Sequence, residues 1–457
     1  MKKSESKENS RQSKVTSARN WILFGYGLAQ VLRFSSNLIL TRLLVPEMFG
    51  VMAIITIIRV GVYMFTEVGL KPSVIRSPRG EDPHYLGTVL SLQVIRGTIL
   101  WGVIALIGYI FYTLQDDNYF ESNSVYAYPE LPELLIIAGI TALIAGFESP
   151  KMLIAARTMS LKRVTVIELI TQIISFAITV GWALIYPNIW SFIGGMIAGS
   201  ITKTALSYCW LEGKNIPFHF EIKTLKEIYH FGKWLFLTAV LTFLVLNGDR
   251  ILLSGILSAD ELGIYTVALF LIMAARDLLN KLISSVWFPL LCETVRRSPE
   301  SAGDEYYKIR MKQDLVIFFI SGFLLQASPL IIDILYDDRY WAAGWMMQIL
   351  AISLVGVSYG LANELMLSLG YSKVSTLALS LRAITLFSSV PISAYFFGPT
   401  GALIAISLSV FSEVIIYWWA LQKYNLLNII KELVFLPVIL IGWGCGYGVT
   451  LIVERLF

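Results

Sequence analysis

Charge is what this chain has least of: only 15% of its 457 residues are Asp, Glu, Lys or Arg, against about 25% in a soluble globular chain. The net charge is +4, and the basic residues fall in short segments rather than on one continuous face, so nucleic-acid binding has no electrostatic footprint. There are three cysteines (Cys209, Cys292, Cys445) and three histidines (His84, His219, His230), all far apart. That excludes a disulfide framework and offers no metal-ligand spacing. A phosphate-binding Gly-x-x-x-x-Gly-Lys-[Ser/Thr] loop is missing, so the chain does not hydrolyse nucleotides by that route.

Apolar residues are abundant, at 56%, and the mean hydropathy is +0.68. They come in blocks long enough to cross a hydrocarbon core about 30 Å thick. The blocks are 19–41, 48–70, 86–113, 131–152, 164–186, 189–211, 232–256, 261–290, 312–335, 341–369, 374–397, 400–422 and 433–453. The fold class expected is an all-α polytopic membrane protein with about 13 transmembrane helices. The first block is expected to remain as a span, since it is too long for a cleaved leader and carries Arg33 in its middle.

Most of the 36 Lys and Arg residues lie in alternate connections, including Arg296, Arg297, Lys308, Arg310 and Lys312 between spans eight and nine. The opposite connections hold only Arg42, Arg339 and Arg455, and the loop 114–130 is acidic. The positive-inside rule then places the N-terminus in the cytoplasm. No outer loop is long enough for a catalytic domain. In segment 221–233, Ile222, Leu225, Ile228 and Tyr229 share one helical face, which reads as an interfacial helix leading into span seven.

Residues 20–51 and 233–264 align without gaps: Trp21 with Trp234, Leu28 with Leu241, Leu40 with Leu253, Leu44 with Leu257 and Gly50 with Gly263. The two copies occupy the same topological place. They imply two parallel six-helix repeats, forming N- and C-lobes around a central cavity, with the last helix outside the repeat. The organisation expected is a basic tail 1–18, an N-lobe 19–211, a linker 212–231, a C-lobe 232–422, and a loop plus additional helix 423–457.

The stretches NLILTRLLVPEMFGVMAI, FGKWLFLTAVLTFLVLNGDRILLSGILSADELGIYTVAL (231–269) and YDDRYWAAGWMMQILAI (336–352) resemble bacterial polysaccharide transporters. These are the O-antigen or exopolysaccharide repeat-unit flippases of the multidrug/oligosaccharidyl-lipid/polysaccharide exporter superfamily. The resemblance implies a non-enzymatic protein of the bacterial cytoplasmic (inner) membrane that flips an undecaprenyl-diphosphate-linked oligosaccharide by alternating access. It also implies a polysaccharide polymerase and other assembly proteins as partners.

Ionisable residues inside spans cost about 2.5–3.5 kcal/mol each when they face lipid, so they are expected to face a wet cavity or one another. Tyr26, Gln30, Arg33 and Asn37 form one stripe in span one, and Arg59, Tyr63 and Glu67 another in span two. Arg96 sits in span three, Asn247 and Arg250 in span seven, Arg276 in span eight and Arg382 in span eleven. The cavity candidates are Arg33, Arg59, Arg96, Arg250, Arg276, Arg382, Gln30, Asn37, Tyr63 and Asn247. Arginine stays protonated and offers a planar donor fork that suits a diphosphate. Asp249, Glu364 and Asp277 are the candidates for coupling to H+ or Na+, with no other cofactor and no metal expected. Asp249 beside Arg250, and Asp277 four residues before Lys281, can equally be structural ion pairs. Arg42 and Lys281 are expected to snorkel or cap helix ends, Glu148 and Lys151 to be solvated, and Gly195/Gly199 and Gly356/Gly360 to pack helices. Two alternatives remain open. A multidrug cation antiporter would need an acidic cavity, and a membrane glycosyltransferase or polymerase would need a catalytic loop.

Overall fold

The computed structural model describes residues 2–65, 69–158 and 160–456. All regular structure among them is helical. The chain divides into two compact units, Met1–Val240 and Leu241–Phe457. The first contains α1 (Lys2–Leu43), α2 (Pro46–Phe65), α3 (Leu70–Arg76), α4 (Pro83–Asp116), α5 (Leu131–Gly146), α6 (Lys151–Arg157), α7 (Leu161–Ile185) and α8 (Trp190–Cys209). The division falls within α9 (Ile222–Leu253). The second contains α10 (Ala259–Leu282), α11 (Phe288–Arg297), α12 (Ala302–Leu335), α13 (Ala343–Ala351), α14 (Gly360–Ser368), α15 (Ser372–Ser409), α16 (Phe411–Lys423), α17 (Ile429–Leu433) and α18 (Val438–Leu456).

Eight helical stretches among the described residues are long and apolar enough to cross a bilayer, and a ninth arises if the bent pair α5–α6 is one span. The chain is a multi-pass membrane protein. The expected spans 374–397 and 400–422 are separated at Gly398, where the backbone of α15 leaves the helical conformation and the helix is kinked. That residue takes φ 64°, a left-handed conformation open to glycine, and Pro399 follows it. Expected spans 19–41, 189–211 and 232–256 fall on α1, α8 and α9. Residues 222–233 of the segment 221–233 are the first part of α9 and run without a break into expected span seven. Pro46 and Ala259, which the repeat aligns, are the first residues of α2 and α10.

Local chemistry sets several helix starts. Asp82 caps α4, its carboxylate accepting the His84 N–H at 3.0 Å, with Pro83 at the first helical position. Ser258 and Glu261 cap α10 reciprocally: Ser258 Oγ accepts the Glu261 N–H at 3.2 Å, and Glu261 Oε2 accepts the Ser258 N–H at 3.0 Å.

Within the first unit, α4 packs on α5, α7 on α8, and α1 on α7. A Cβ on Gly195 would stand 2.8 Å from the Ser175 carbonyl oxygen, so the close approach of α7 and α8 requires glycine there. Two cations, the half-buried Arg157 and the buried Lys151, serve as helix caps. The Arg157 guanidinium donates to the carbonyls of Val74 (2.7 Å), Ile75 (2.9 Å) and Ser77 (2.6 Å) at the end of α3. Lys151 Nζ donates to the carbonyls of Tyr208 and Leu211, both at 3.4 Å, and to Asn215 Oδ1 at 2.9 Å, beyond the end of α8. Lys151 is therefore buried rather than solvated. Its expected companion Glu148 is likewise engaged, 3.0 Å from Lys203 Nζ.

Residues preceding α9 are held against α4. Arg79 Nη2 lies 2.8 Å from Glu221 Oε2 and 3.2 Å from Asp82 Oδ2. Ser91 Oγ donates to the His219 carbonyl at 2.8 Å, and the His84 and His219 rings meet edge to face at 4.7 Å. The hydrogen bond from Arg79, aided by one from Thr224, holds the Glu221 carboxyl below the usual carboxylate range.

In the second unit, α18 lies along α12. A Cβ on Gly322 would come 2.0 Å from the Ile439 carbonyl oxygen, and one on Gly442 would come 2.2 Å from that of Phe319. Gly446 is similarly close to Phe323, whereas Gly444 and Gly448 face open space. Alternate members of the glycine run in the last span thus bring its backbone against α12, as small residues do between membrane helices.

Candidate functional site

A cleft of about 700 Å³ opens within the first unit between α1, α7 and α8. Helical periodicity builds each wall: Tyr26, Ala29 and Arg33 from α1, Glu168, Gln172 and Ser175 from α7, and Met196, Gly199 and Lys203 from α8. Gln172 Nε2 donates to the Ala29 carbonyl at 3.1 Å and ties α7 to α1. Ser175 Oγ donates to the Gly195 carbonyl at 2.8 Å and ties α7 to α8.

Two guanidiniums mark this cleft, and neither has a carboxylate partner among the described residues. Arg33 projects into it, and its hydrogen bond is a long one to Gln30 Oε1, at 3.4 Å. Arg59 of α2 does not line the cleft itself but lies behind its wall, with Nη1 3.8 Å from the sulfur of Met196, which does. Lys203 is balanced by Glu148. Glu168 is exposed on the cleft wall. The cleft therefore presents one guanidinium without a carboxylate partner, Arg33, set among amide and hydroxyl groups and the Glu168 carboxylate, with Arg59 behind Met196.

The other candidates of the first unit go elsewhere. The Arg96 guanidinium lies over the Tyr63 ring at 4.4 Å, and its Nη2 donates to the Tyr63 carbonyl at 2.9 Å. Asn37 is not among the residues lining the cleft, and its carbonyl accepts from Thr41 Oγ1 at 2.9 Å. Glu67 lies outside the described residues.

The arginines of the second unit differ in having acids beside them. Arg250 Nε is 3.8 Å from Asp249 Oδ1, and Asp249 also accepts from the Tyr265 hydroxyl at 2.6 Å. Arg382 Nη1 donates to Glu413 Oε1 at 3.1 Å. Arg276 feels the charges of Arg382, Glu413, Asp277 and Asp249, so helices α9, α10, α15 and α16 share one mixed-charge cluster. Asn247 Nδ2 donates to the Phe243 carbonyl at 3.3 Å within its own helix. Glu364 is half-buried next to Asn363, whose Oδ1 accepts from Ser375 and from Tyr417.

Sequence reasoning missed a third group. Arg310, Asp314 and Glu432, assigned by position to inner segments or to the edge of a span, are fully buried together in the second unit. Arg310 Nη2 is 2.9 Å from Glu432 Oε2, and its Nε is 3.2 Å from Asp314 Oδ2. The i, i+4 spacing of Arg310 and Asp314 was the available signal.

Two helical units with ionisable groups inside membrane-spanning helices are an arrangement that polytopic transporters share. The solved structures agree. An inward closed form of the lipid II flippase MurJ matches with a TM-score of 0.68 and 13% identity, covering 94% of this chain and 92% of that one. An inward-facing multidrug resistance MATE family transporter of the MOP superfamily matches with a TM-score of 0.65 and 13% identity, covering 87% and 94%. Residues 39–345 match the family described as polysaccharide biosynthesis protein, and the chain belongs to that family. A putative O-antigen transporter of Shigella flexneri is 23% identical over 417 residues, spanning 87% of this chain and 96% of its own length. Each of these three relatives is named as a transporter or flippase rather than as an enzyme.

Proposed function

We propose that this protein moves a lipid-linked oligosaccharide, joined to its polyprenyl tail by a diphosphate, from the inner to the outer leaflet of a bacterial cytoplasmic membrane. The carrying observation is Arg33, a guanidinium without a carboxylate partner among the described residues, on the wall of a cleft of about 700 Å³, with Arg59, likewise without one, behind Met196. A diphosphate cannot cross hydrocarbon unaided, because an isolated charge there is prohibitively costly. A planar donor fork supplies what water otherwise provides, and the cleft volume suits a headgroup with its first sugar. The family membership and the O-antigen transporter relative support the saccharide part of the reading. In this reading the N-terminus is cytoplasmic. Lobes 19–211 and 232–422, joined by 212–231, alternate access, and the acid-balanced arginines of the second unit serve to hold helices together.

The test is translocation. The purified protein is placed in liposomes with a fluorescent polyprenyl-diphosphate oligosaccharide, and the headgroup is exposed to a membrane-impermeant quencher. Protein-dependent quenching in wild type, abolished in the Arg33→Ala/Arg59→Ala double variant, is the expected result. Uptake of a cationic dye without lipid movement would refute the reading and favour a drug exporter, with Glu168 as the cation contact.

A further inference from the structure

We propose that Arg310, Asp314 and Glu432 form a single-proton site, with the proton held on Asp314. The inference does not depend on what the protein carries. It starts from a count of charge: one guanidinium faces two carboxylates, and all three side chains are at most 1% exposed. Fully ionised, the group would carry one uncompensated negative charge away from water, which a folded protein avoids by neutralising it.

Every other titratable or charged group around the network leaves that surplus in place. Tyr306 and Tyr307 of α12 and Tyr359 of the 3-10 turn Ile352–Tyr359 are neutral phenols. Arg310 lies 4.2 Å over the Tyr359 ring and donates to the Tyr306 hydroxyl at 2.6 Å. The Tyr307 hydroxyl accepts the Asn428 N–H at 2.7 Å. Lys431, next to Glu432 on α17, stacks on the Tyr307 ring at 5.2 Å and forms no ion pair among the described residues. From α16, Trp418 adds a donor rather than a charge, and Glu413 is engaged with Arg382. From α11, Glu293 and Arg297 pair with each other. On α12 itself, Lys308 pairs with Glu305, and Asp304 and Lys312 are exposed, as is Arg296 of α11; Glu364 of α14 is a further acid and adds no positive charge. Helix α13 has no charged residue, and the charges of α18, Glu454 and Arg455, are at its far end.

Hydrogen bonding distinguishes the two acids. Both acids lie beside Arg310, but Glu432 also accepts the Trp418 indole N–H at 3.0 Å and the Tyr306 hydroxyl at 3.4 Å, which favour its carboxylate form. Asp314 Oδ2 lies 3.2 Å from Arg310 Nε without a well-aligned hydrogen bond, and Oδ1 has a single close contact, from Ser358 Oγ. Ser358 Oγ donates to the ionised Asp314 Oδ1; with a proton on Oδ1 the hydroxyl turns to accept it, and Arg310 and Glu432 are left as a balanced pair. Uptake of the proton breaks no covalent bond.

The full-length protein in lipid nanodiscs tests this through its melting temperature at about pH 6 to about pH 9. The proton belongs to the folded state, so wild type should lose melting temperature as pH rises. Asp314→Asn imitates the protonated acid and should keep the low-pH melting temperature across the range. Glu432→Gln also removes the surplus charge and should flatten the profile, whereas the double variant strands Arg310 and should melt well below either single one. A wild-type profile with the same slope as Asp314→Asn overturns the proposal, as does an Asp314→Asn protein no more stable than the double variant. Replacing choline with sodium supplies the remaining arm: a sodium-dependent rise in wild type, missing from Asp314→Asn, would make the occupant a metal cation and overturn the proton.

Discussion

Replacing Arg33 with alanine should separate binding from stability, because of how little holds that side chain in the protein. Its one hydrogen bond among the described residues is the 3.4 Å contact to Gln30, and no acid is left unpaired when it goes. A change at such a site shifts stability by no more than about 0.5 kcal/mol. A hydrogen bond to a charged group contributes about 1.5–3 kcal/mol, which is about a tenfold to hundredfold weakening of diphosphate binding. Lys203→Ala, on the opposite wall, supplies the contrast. It strands Glu148, whose side chain is 16% exposed, and should lower stability by about 1 kcal/mol. The assay titrates each nanodisc-embedded variant with a polyprenyl diphosphate by thermophoresis and melts the same samples. Arg33→Lys keeps the charge without the fork and should fall between wild type and alanine. Wild-type affinity in Arg33→Ala, or a melting loss equal to that of Lys203→Ala, would refute the assignment of Arg33 to an anion site.

Gly442→Ala or Gly322→Ala should cost about 1–3 kcal/mol, because each new methyl meets a backbone carbonyl that cannot rotate away. Gly444→Ala, with open space around it, should melt as wild type does, and equal losses at both positions would contradict the packing described for α18. The Glu221 carboxyl is held below its usual range by Arg79, so its contribution is present above the ordinary carboxylate range and is lost as pH falls through the lowered value. Acidification should therefore raise amide exchange around Arg79 and Glu221 in wild type. In Glu221→Gln the exchange should already be high at neutral pH, and protection there equal to wild type would remove the ion pair from the account.

Spans and their polar stripes are legible from sequence because lipid imposes a simple periodic rule on every helix it surrounds. That rule put Gln30 and Arg33 on one face of α1 and matched Pro46 with Ala259 at the starts of α2 and α10. It does not reach contacts made between helices. Periodicity placed Tyr63 and Arg96 in different spans as separate cavity residues, yet the guanidinium lies on the ring. Lys151 looked like a boundary lysine because the chain's own carbonyls, which hold it, have no sequence signature. Arg310 was read as one of several basic residues in an inner segment, since hydropathy starts a span at 312 while the helix begins at Ala302. Its second acid, Glu432, comes from a short helix far along the chain, and only tertiary contact brings the two together.

The origin of the surplus charge bears on how the last helices belong to this protein. Arg310 and Asp314 stand one turn apart on α12 and are electrically neutral as a pair. The second carboxylate arrives with α17, outside the six-helix repeat, in the same segment that leads into the glycine-packed α18. An accessory helix that binds only by shape leaves the charge state of its host untouched. This one brings an acid to an ion pair that is already neutral, so with the proposed proton on Asp314 the packing of α17 and the protonation of α12 are linked, each favouring the other.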